Sequence, residues 1–322
     1  FYRRLASPEE EMHPSVHAIM RYTLRLLTLD QAPRLVRLVG AMNQVSHASG
    51  DGSRNFHPFR VGMWVGTKSS PNRLEQDGLN SPSARTLLLD AETGSSNHPA
   101  KAIMFEVCPW CNCDSIRKAR NWSIRDLKGR KSLFGRCEGE DCIFNSEYGI
   151  PFTCVDEDIY NNPPSILLGT ADKFVQAAFN NSYDPSPGAN GNRRDIRNLL
   201  GFGEGIRPPD LVIQDELHLL TGPLGSMAGL LETALDVAWS ISKDGHRAKY
   251  IAATATIRGA ERDARLMFGR ELNIFPPPVE RASDNFFARE AEDTKENPGR
   301  IHASILGPPK KARSISIQPT AS

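Results

Sequence analysis

The stretch that most constrains this chain is Leu211 to His218, L-V-I-Q-D-E-L-H. Leu211, Val212 and Ile213 are apolar and two of them are β-branched, which suits a short buried strand. The strand is expected to end at Gln214, with Asp215 and Glu216 directly after it. Roughly thirty residues on, enough for one crossover helix and a return strand, Lys249 to Ile257 (K-Y-I-A-A-T-A-T-I) is a second apolar run ending in small hydroxyl residues. Between them, Leu224 to Ser242 carries Met227, Leu230, Leu231, Ala234, Leu235 and Ala238 at helical spacing. Strand, helix and strand in this order make a parallel unit. Carboxylates at the carboxyl edge of a parallel strand stand where α/β folds hold their ligands. The plainer reading of Asp215 and Glu216 is a pair of acids facing a helix dipole.

Composition sets few other limits. The chain has 322 residues, 39% hydrophobic and 24% charged, and a net charge of +1, so a nucleic-acid site must be a local patch rather than a global basic field. No apolar run approaches the length of a membrane span. The opening residues, Phe1-Tyr2-Arg3-Arg4, lack an initiator Met and an apolar targeting core, which suggests a piece of a longer chain.

All six cysteines fall between Cys108 and Cys154. Clustering of this kind points to metal rather than to a disulfide framework. C-P-W-C and C-E-G-E-D-C supply two pairs, Cys108 with Cys111 and Cys137 with Cys142, as a tetrahedral Zn²⁺ set. Cys113 and Cys154 are spare, although Cys113 could replace Cys111, and a redox C-x-x-C is the rival reading. Ile116 to Arg136 is rich in Arg and Lys among Trp122, Leu127 and Phe134, which suits either a nucleic-acid backbone or a solvated face. Val61 to Val65 is expected as a strand. Gly66-Thr67-Lys68-Ser69 fails as a phosphate loop, because Thr67 separates the Gly from the Lys. Ser69 to Ala100 reads as a loop or mobile segment, Val155 to Tyr160 as an exposed connector, and Asn180 to Pro209 as a long loop. A charged helix is expected after Arg258 up to Phe268. The triple Pro at 276–278 ends regular structure, with one candidate strand beyond it at Ile301 to Leu306.

D-E-L-H resembles motif II of superfamily 2 helicases, and A-T-A-T resembles their motif III. In P-loop NTPases an Asp placed like Asp215 holds Mg²⁺, and a neighbouring Glu can polarise the attacking water. Met20 to Gln31 resembles motif Ia, a strand end turning into a helix. Its polar members Thr23, Arg25, Thr28 and Gln31 would contact phosphates of a bound strand, although Leu24, Leu27, Leu35 and Leu38 also fit an ordinary amphipathic helix. Ser165 to Phe174 resembles motif Ib, where Thr170 and Lys173 would touch the sugar-phosphate backbone and Asp172 would cap a helix.

Taken together, R-Y-T-L-R-L-L-T-L-D-Q, C-P-W-C, V-D-E-D-I-Y-N-N-P-P-S-I-L-L-G-T-A-D-K-F and P-P-D-L-V-I-Q-D-E-L-H-L-L-T-G-P-L-G-S-M resemble the DrmA family, the helicase subunits of DISARM bacterial anti-phage systems. These are large superfamily 2 proteins with a DUF1998-type carboxy-terminal region, and the resemblance covers roughly 1–275. It implies one RecA-like α/β domain, a mostly parallel sheet flanked by helices, with a zinc-binding insertion. Residues 1–103 and 155–275 would form the two parts of that domain, 104–154 the insertion, and 276–322 a Pro-rich linker or the start of a further domain. The resemblance further implies an ATP-dependent helicase or translocase, with ATP, Mg²⁺ and Zn²⁺ as cofactors. Asp215, Glu216 and His218 would serve catalysis, and Thr254 and Thr256 would relay nucleotide state. Single-stranded DNA, or DNA with a single-stranded overhang, and a DrmB-type subunit are the implied partners, in the bacterial cytoplasm and without a membrane. The Walker A loop, placed by the family ahead of motif Ia, and the arginine-finger motif of a second motor domain are not found in these residues. An RNA helicase and a non-enzymatic DNA-binding scaffold are the alternatives.

Overall fold

A computed structural model describes residues 15–277 apart from 23–24, 50–57, 67–68, 79–81, 94–104, 128, 180–198, 203–205, 221, 243–244 and 255–258, together with 286, 287 and 294. The chain divides into a large unit, Phe1–Glu271, and a small one, Leu272–Ser322. In the small unit the rings of Phe275, Phe286 and Phe287 meet edge to face, with centroids 5.0, 5.2 and 5.8 Å apart. The candidate strand at Ile301 to Leu306 lies outside the described residues.

The strands of the large unit are β1 (Ala18–Tyr22), β2 (Val61–Trp64), β3 (Trp122–Leu127), β4 (Arg130–Gly135), β5 (Phe152–Thr153), β6 (Ile166–Thr170), β7 (Leu211–Gln214) and β8 (Lys249–Ala252). Its helices are α1 (Arg25–Ser49), α2 (Ala84–Thr93), α3 (Asp156–Asn161), α4 (Ala171–Phe179), α5 (Gly222–Ser242) and α6 (Ala260–Phe268). Among the described residues, six strands form one sheet in the order β5-β2-β6-β1-β7-β8, and every pairing in it is parallel. This is the expected α/β fold, and the unit built on Leu211 and Lys249 is present as β7-α5-β8.

Alternation along the strands feeds two cores, as a sheet covered on both faces requires. Val61, Met63, Leu168 and Tyr22 pack with Val36 and Val39 of α1. Ile19, Trp64, Leu167 and Val212 pack with Phe174 of α4 and with Leu235 and Trp239 of α5. The helix expected from spacing is present as α5, but its apolar residues do not all face the core. Met227 and Leu230 are 38% and 73% exposed, whereas Leu235 and Trp239 are buried at 7% and 0%.

Two local expectations are corrected. Ser69 to Ala100 is not all loop, because Ala84–Thr93 is helical and buries Ala84, Leu87 and Leu88. Val155 to Tyr160 is not exposed. It opens α3, in which Asp156, Asp158, Ile159 and Tyr160 are all buried. Asp158 accepts from Arg60 at 3.0 Å, from Ser132 Oγ at 3.1 Å, from the Leu133 amide at 3.0 Å and from Asn162 at 3.0 Å. Ser132 and Leu133 belong to β4 of the antiparallel β3-β4 hairpin, so one carboxylate ties the cysteine-rich insertion to the sheet. The insertion also shares the core of α1. A Cβ on Gly40 would fall 2.7 Å from the Phe144 ring, so glycine lets the helix lie against the insertion.

Candidate active site and metal centre

β7 ends at Gln214, and Asp215 and Glu216 lie beyond its carboxyl end as expected. The Asp215 amide donates to the carbonyl of Arg21 on β1 at 2.9 Å, and Gln214 Nε2 donates to the Asp215 carbonyl at 2.8 Å. Glu216 takes left-handed backbone angles, φ 49° and ψ 48°. That turn brings the Leu217 amide to the Ala253 carbonyl at 2.9 Å, past the end of β8. The Glu216 amide donates to Asp215 Oδ1 at 2.9 Å. Both carboxylates are partly exposed.

His218 joins the two expected motifs. Its Nδ1 lies 3.3 Å from Glu216 Oε2 and 3.2 Å from Thr254 Oγ1. Thr254 follows β8, so the contact crosses from one strand end to the next. Thr256 lies outside the described residues. Tyr22, which sequence reasoning passed over, ends β1 nearby, and burial followed by the charge of Asp215 raises its hydroxyl pKa. A strand-terminal Tyr carries no motif, so only register reveals it. A cavity of about 520 Å³ is lined by Leu217, His218, Gly225, Gly229, Asp263 and Met267 among others, and it includes neither carboxylate.

The β1-α1 and β6-α4 junctions, whose sequences carry the other expected contact residues, open at the same sheet edge. Tyr22 pairs in register with Thr170, so the β1-α1 and β6-α4 junctions emerge side by side. Thr23 lies outside the described residues, and Arg25 and Thr28 are described in backbone only, within the first turn of α1. Gln31 is partly exposed. Thr170 is buried at 5% exposure. Lys173 Nζ donates to Asp156 Oδ2 at 2.9 Å and stands 5.5 Å from the Trp64 ring, so both residues are engaged inside the fold.

The cysteine cluster assembles as the pairs suggest. The Sγ atoms of Cys108, Cys111, Cys137 and Cys142 all lie within 4.8 Å of one another. Cys108 to Cys142 is 3.7 Å and Cys111 to Cys137 is 3.5 Å. Tetrahedral Zn²⁺ with bonds of about 2.3 Å sets ligand sulfurs about 3.8 Å apart, so these four thiols fit the ion. A disulfide needs about 2.05 Å, and none of these four cysteines forms one. The first pair forms a knuckle, with Asn112 at φ 60° and its amide donating to the Cys108 carbonyl at 3.0 Å. Burial pushes the Cys108 thiol up to about 11 and raises that of Cys142 as well. At Cys111 burial acts the same way, but hydrogen bonds from the Cys113 amide and the neighbouring thiols outweigh it and the pKa falls. Cys113 accepts from the Ser115 amide instead, and Cys154 is buried away from the set.

The basic residues around the hairpin are largely engaged. Lys118 and Arg120 both pair with Glu138, whose carboxyl they hold down to about 2. Lys131 pairs with Glu75, and Arg130 donates to the Asn161 carbonyl.

No family model matches the chain. Over 94% of its length it is 34% identical to the DISARM protein DrmA of Bacillus paralicheniformis (strain ATCC 9945a / NCIMB 11709 / CD-2), and it spans 28% of that protein's length. A crystal structure of the DUF1998 helicase MrfA bound to DNA aligns over 83% of this chain and 25% of its own, at 12% identity and a TM-score of 0.28. Over nearly all of its residues, therefore, the chain is DrmA-like, and it spans about a quarter of that relative's length.

Proposed function

We propose that this chain is the first motor-domain portion of an ATP-dependent DNA helicase or translocase in anti-phage defence. The observation that carries the proposal is the contact of His218 with both Glu216 and Thr254, at the sheet edge where Asp215 and Glu216 leave β7. Bound Mg²⁺ would neutralise the β- and γ-phosphate charge of ATP. Asp215 is the residue to hold it, and Glu216 the residue to polarise the attacking water. His218 reports the state of Glu216 to Thr254, with Thr256 next in line.

A phosphate-binding loop has a natural place. Among the described residues β8 is the last strand of the sheet on that side, with Lys249, Ile251 and Ala252 exposed. A further parallel strand beside it would deliver such a loop next to Asp215. Nucleic acid would cross the β1-α1 and β6-α4 junctions, contacting Thr23, Arg25, Thr28 and Gln31 without reading sequence. Lys173 would join once phosphate replaces Asp156 as its partner, with Thr170 setting that junction from beneath. Zn²⁺ held by Cys108, Cys111, Cys137 and Cys142 would stiffen the insertion, and a DrmB-type subunit remains the proposed partner.

In the full-length protein, Glu216→Gln is expected to retain ATP binding and to lose turnover by about 100-fold or more. Undiminished hydrolysis in that variant would remove Glu216 from the chemistry. Stimulation of wild-type hydrolysis by single-stranded DNA but not RNA is the expected substrate preference. The reverse preference would make the protein an RNA motor.

A further inference from the structure

Behind the carboxylates lies a buried set of charges that nucleotide chemistry does not touch. Arg21 on β1 and Glu232 on α5 form an ion pair with side chains 6% and 2% exposed. Tyr250 on β8 donates its hydroxyl to the second Glu232 oxygen at 2.7 Å. The Arg21 guanidinium stands 5.7 Å from the Phe174 ring centre, and its Nε has no hydrogen-bond partner. Burial disfavours the charge on Arg21, and Glu232 more than compensates. An ion pair this deep is weak evidence of added stability, because apolar residues of similar volume often do as well or better. Its position is more informative.

In the sheet, β7 separates β1 from β8. Arg21 and Tyr250 reach past β7 to meet on one carboxylate supplied by the helix that follows the Asp215-Glu216 turn. The main chain of Arg21 also holds the Asp215 amide. Thr23 and Arg25 stand two and four residues beyond Arg21, and Thr254 stands four beyond Tyr250. A second tie on α5 holds the same strand: one turn on, Asp236 pairs with Arg247 at 2.8 Å and with Arg270, which donates to the Ala248 carbonyl at 2.7 Å.

We propose that Arg21, Glu232 and Tyr250 are positioning residues that couple the nucleic-acid end of β1 to the Thr254-His218 contact through α5. A shift of β1 on binding nucleic acid moves the Glu232 carboxylate, and Tyr250 transmits that movement along β8 to Thr254. The inference rests on the ATPase reading above and adds the route by which the two sites communicate.

The test uses the full-length protein and Tyr250→Phe, which keeps the ring against Phe268 and Arg270 at 4.9 and 4.7 Å and removes only the hydroxyl. Hydrolysis is measured without DNA and with saturating single-stranded oligonucleotide, alongside nucleotide affinity and thermal midpoint. The expected result is a fall of about 5-fold or more in the DNA-stimulated to basal ratio, with basal rate and nucleotide affinity held within about 2-fold. Glu232→Gln should lower the ratio further. A merely structural triad would instead lower the thermal midpoint and both rates together, leaving the ratio unchanged, and that result overturns the proposal. Should Glu232→Gln fail to fold, Tyr250→Phe alone decides. A wild-type protein that hydrolyses no ATP overturns the ATPase reading and this inference with it. A wild type stimulated by DNA, with both variants stimulated equally, overturns this inference only.

Discussion

Glu216 occupies a backbone region that a residue with a Cβ enters at a cost of about 1–2 kcal/mol. Its φ of 49° and ψ of 48° turn the chain so that Leu217 bonds back to Ala253 while the carboxylate stays at the edge. Strain of this kind gathers at functional sites. Glycine should relieve it. In the full-length protein, Glu216→Gly is expected to match or exceed the wild-type thermal midpoint while abolishing hydrolysis. Glu216→Val, β-branched and excluded from this region, should lower the midpoint by about 2–4 °C. A Gly variant that melts well below wild type would show that the side chain contributes more to the fold than the backbone angle costs. The placement of these residues was legible, since D-E-L-H falls where β7 ends and its His218 meets Thr254 of A-T-A-T beyond β8. The strain was not, because Glu is an uncommon occupant of left-handed positions and only the register of β7 against β8 demands it. The engagement of Lys173 was equally hidden, because its partner Asp156 arrives from a helix that looked like a solvent-exposed acidic run.

At the scale of elements, long periodic segments read correctly and short acidic ones did not. β2, β6, β7, β8 and α5 followed from apolar runs and their spacing, whereas the end of β1 came only from the resemblance of Met20 to Gln31 to motif Ia. α3 was missed because V-D-E-D-I-Y advertises exposure, yet Asp156 and Asp158 are 3% and 0% exposed. Their compensating groups, Lys173, Arg60, Ser132 and the Leu133 amide, come from elsewhere in the chain, and no local pattern announces them. Removing Asp158 leaves Arg60 and a buried amide without their acceptor, so Asp158→Ala should cost about 3–5 kcal/mol. Limited proteolysis should then cut the β3-β4 hairpin before the sheet. Cleavage at the wild-type rate would deny that this carboxylate anchors the insertion. The cysteine pairs were legible because soft ligands at C-x2-C and C-x4-C spacing have few other uses. Elemental analysis of the purified protein should find one zinc per chain, and Cys137→Ser should lose it and free the remaining thiols to titrate. Full zinc in that variant would exclude Cys137 from the set.

At the scale of the molecule, the sheet of the described residues stops at β8, whose outer side is open. In β8 the Lys249 amide donates to Asp210 and the Ala253 amide to Gln214. In a strand of alternating direction, this leaves the amides of Tyr250 and Ala252 pointing away from β7. Unpaired edges are normally blunted by short strands, charged side chains, bulges, prolines or covering loops; β8 is short and opens on Lys249, but K-Y-I-A has neither bulge nor proline. Helix α5 beside it leaves Leu230, Val237 and Ile241 exposed at 73%, 52% and 80%. The chain spans 28% of the length of the DrmA it resembles, and a protein of that relative's length would have sequence enough to complete both surfaces. A further parallel strand against β8 would satisfy those amides and set a phosphate-binding loop at the edge occupied by Asp215. Hydrogen exchange tests this directly. In residues 1–322 alone, the Tyr250 and Ala252 amides should exchange quickly while those of Ile251 and Ala253, facing β7, are protected. In the full-length protein all four should be protected, by a factor that tracks subglobal opening rather than fraying. Rapid exchange at Tyr250 and Ala252 in the full-length protein would mean that no strand completes this edge, and the nucleotide site proposed beside Asp215 would lack the element that must cradle the phosphates.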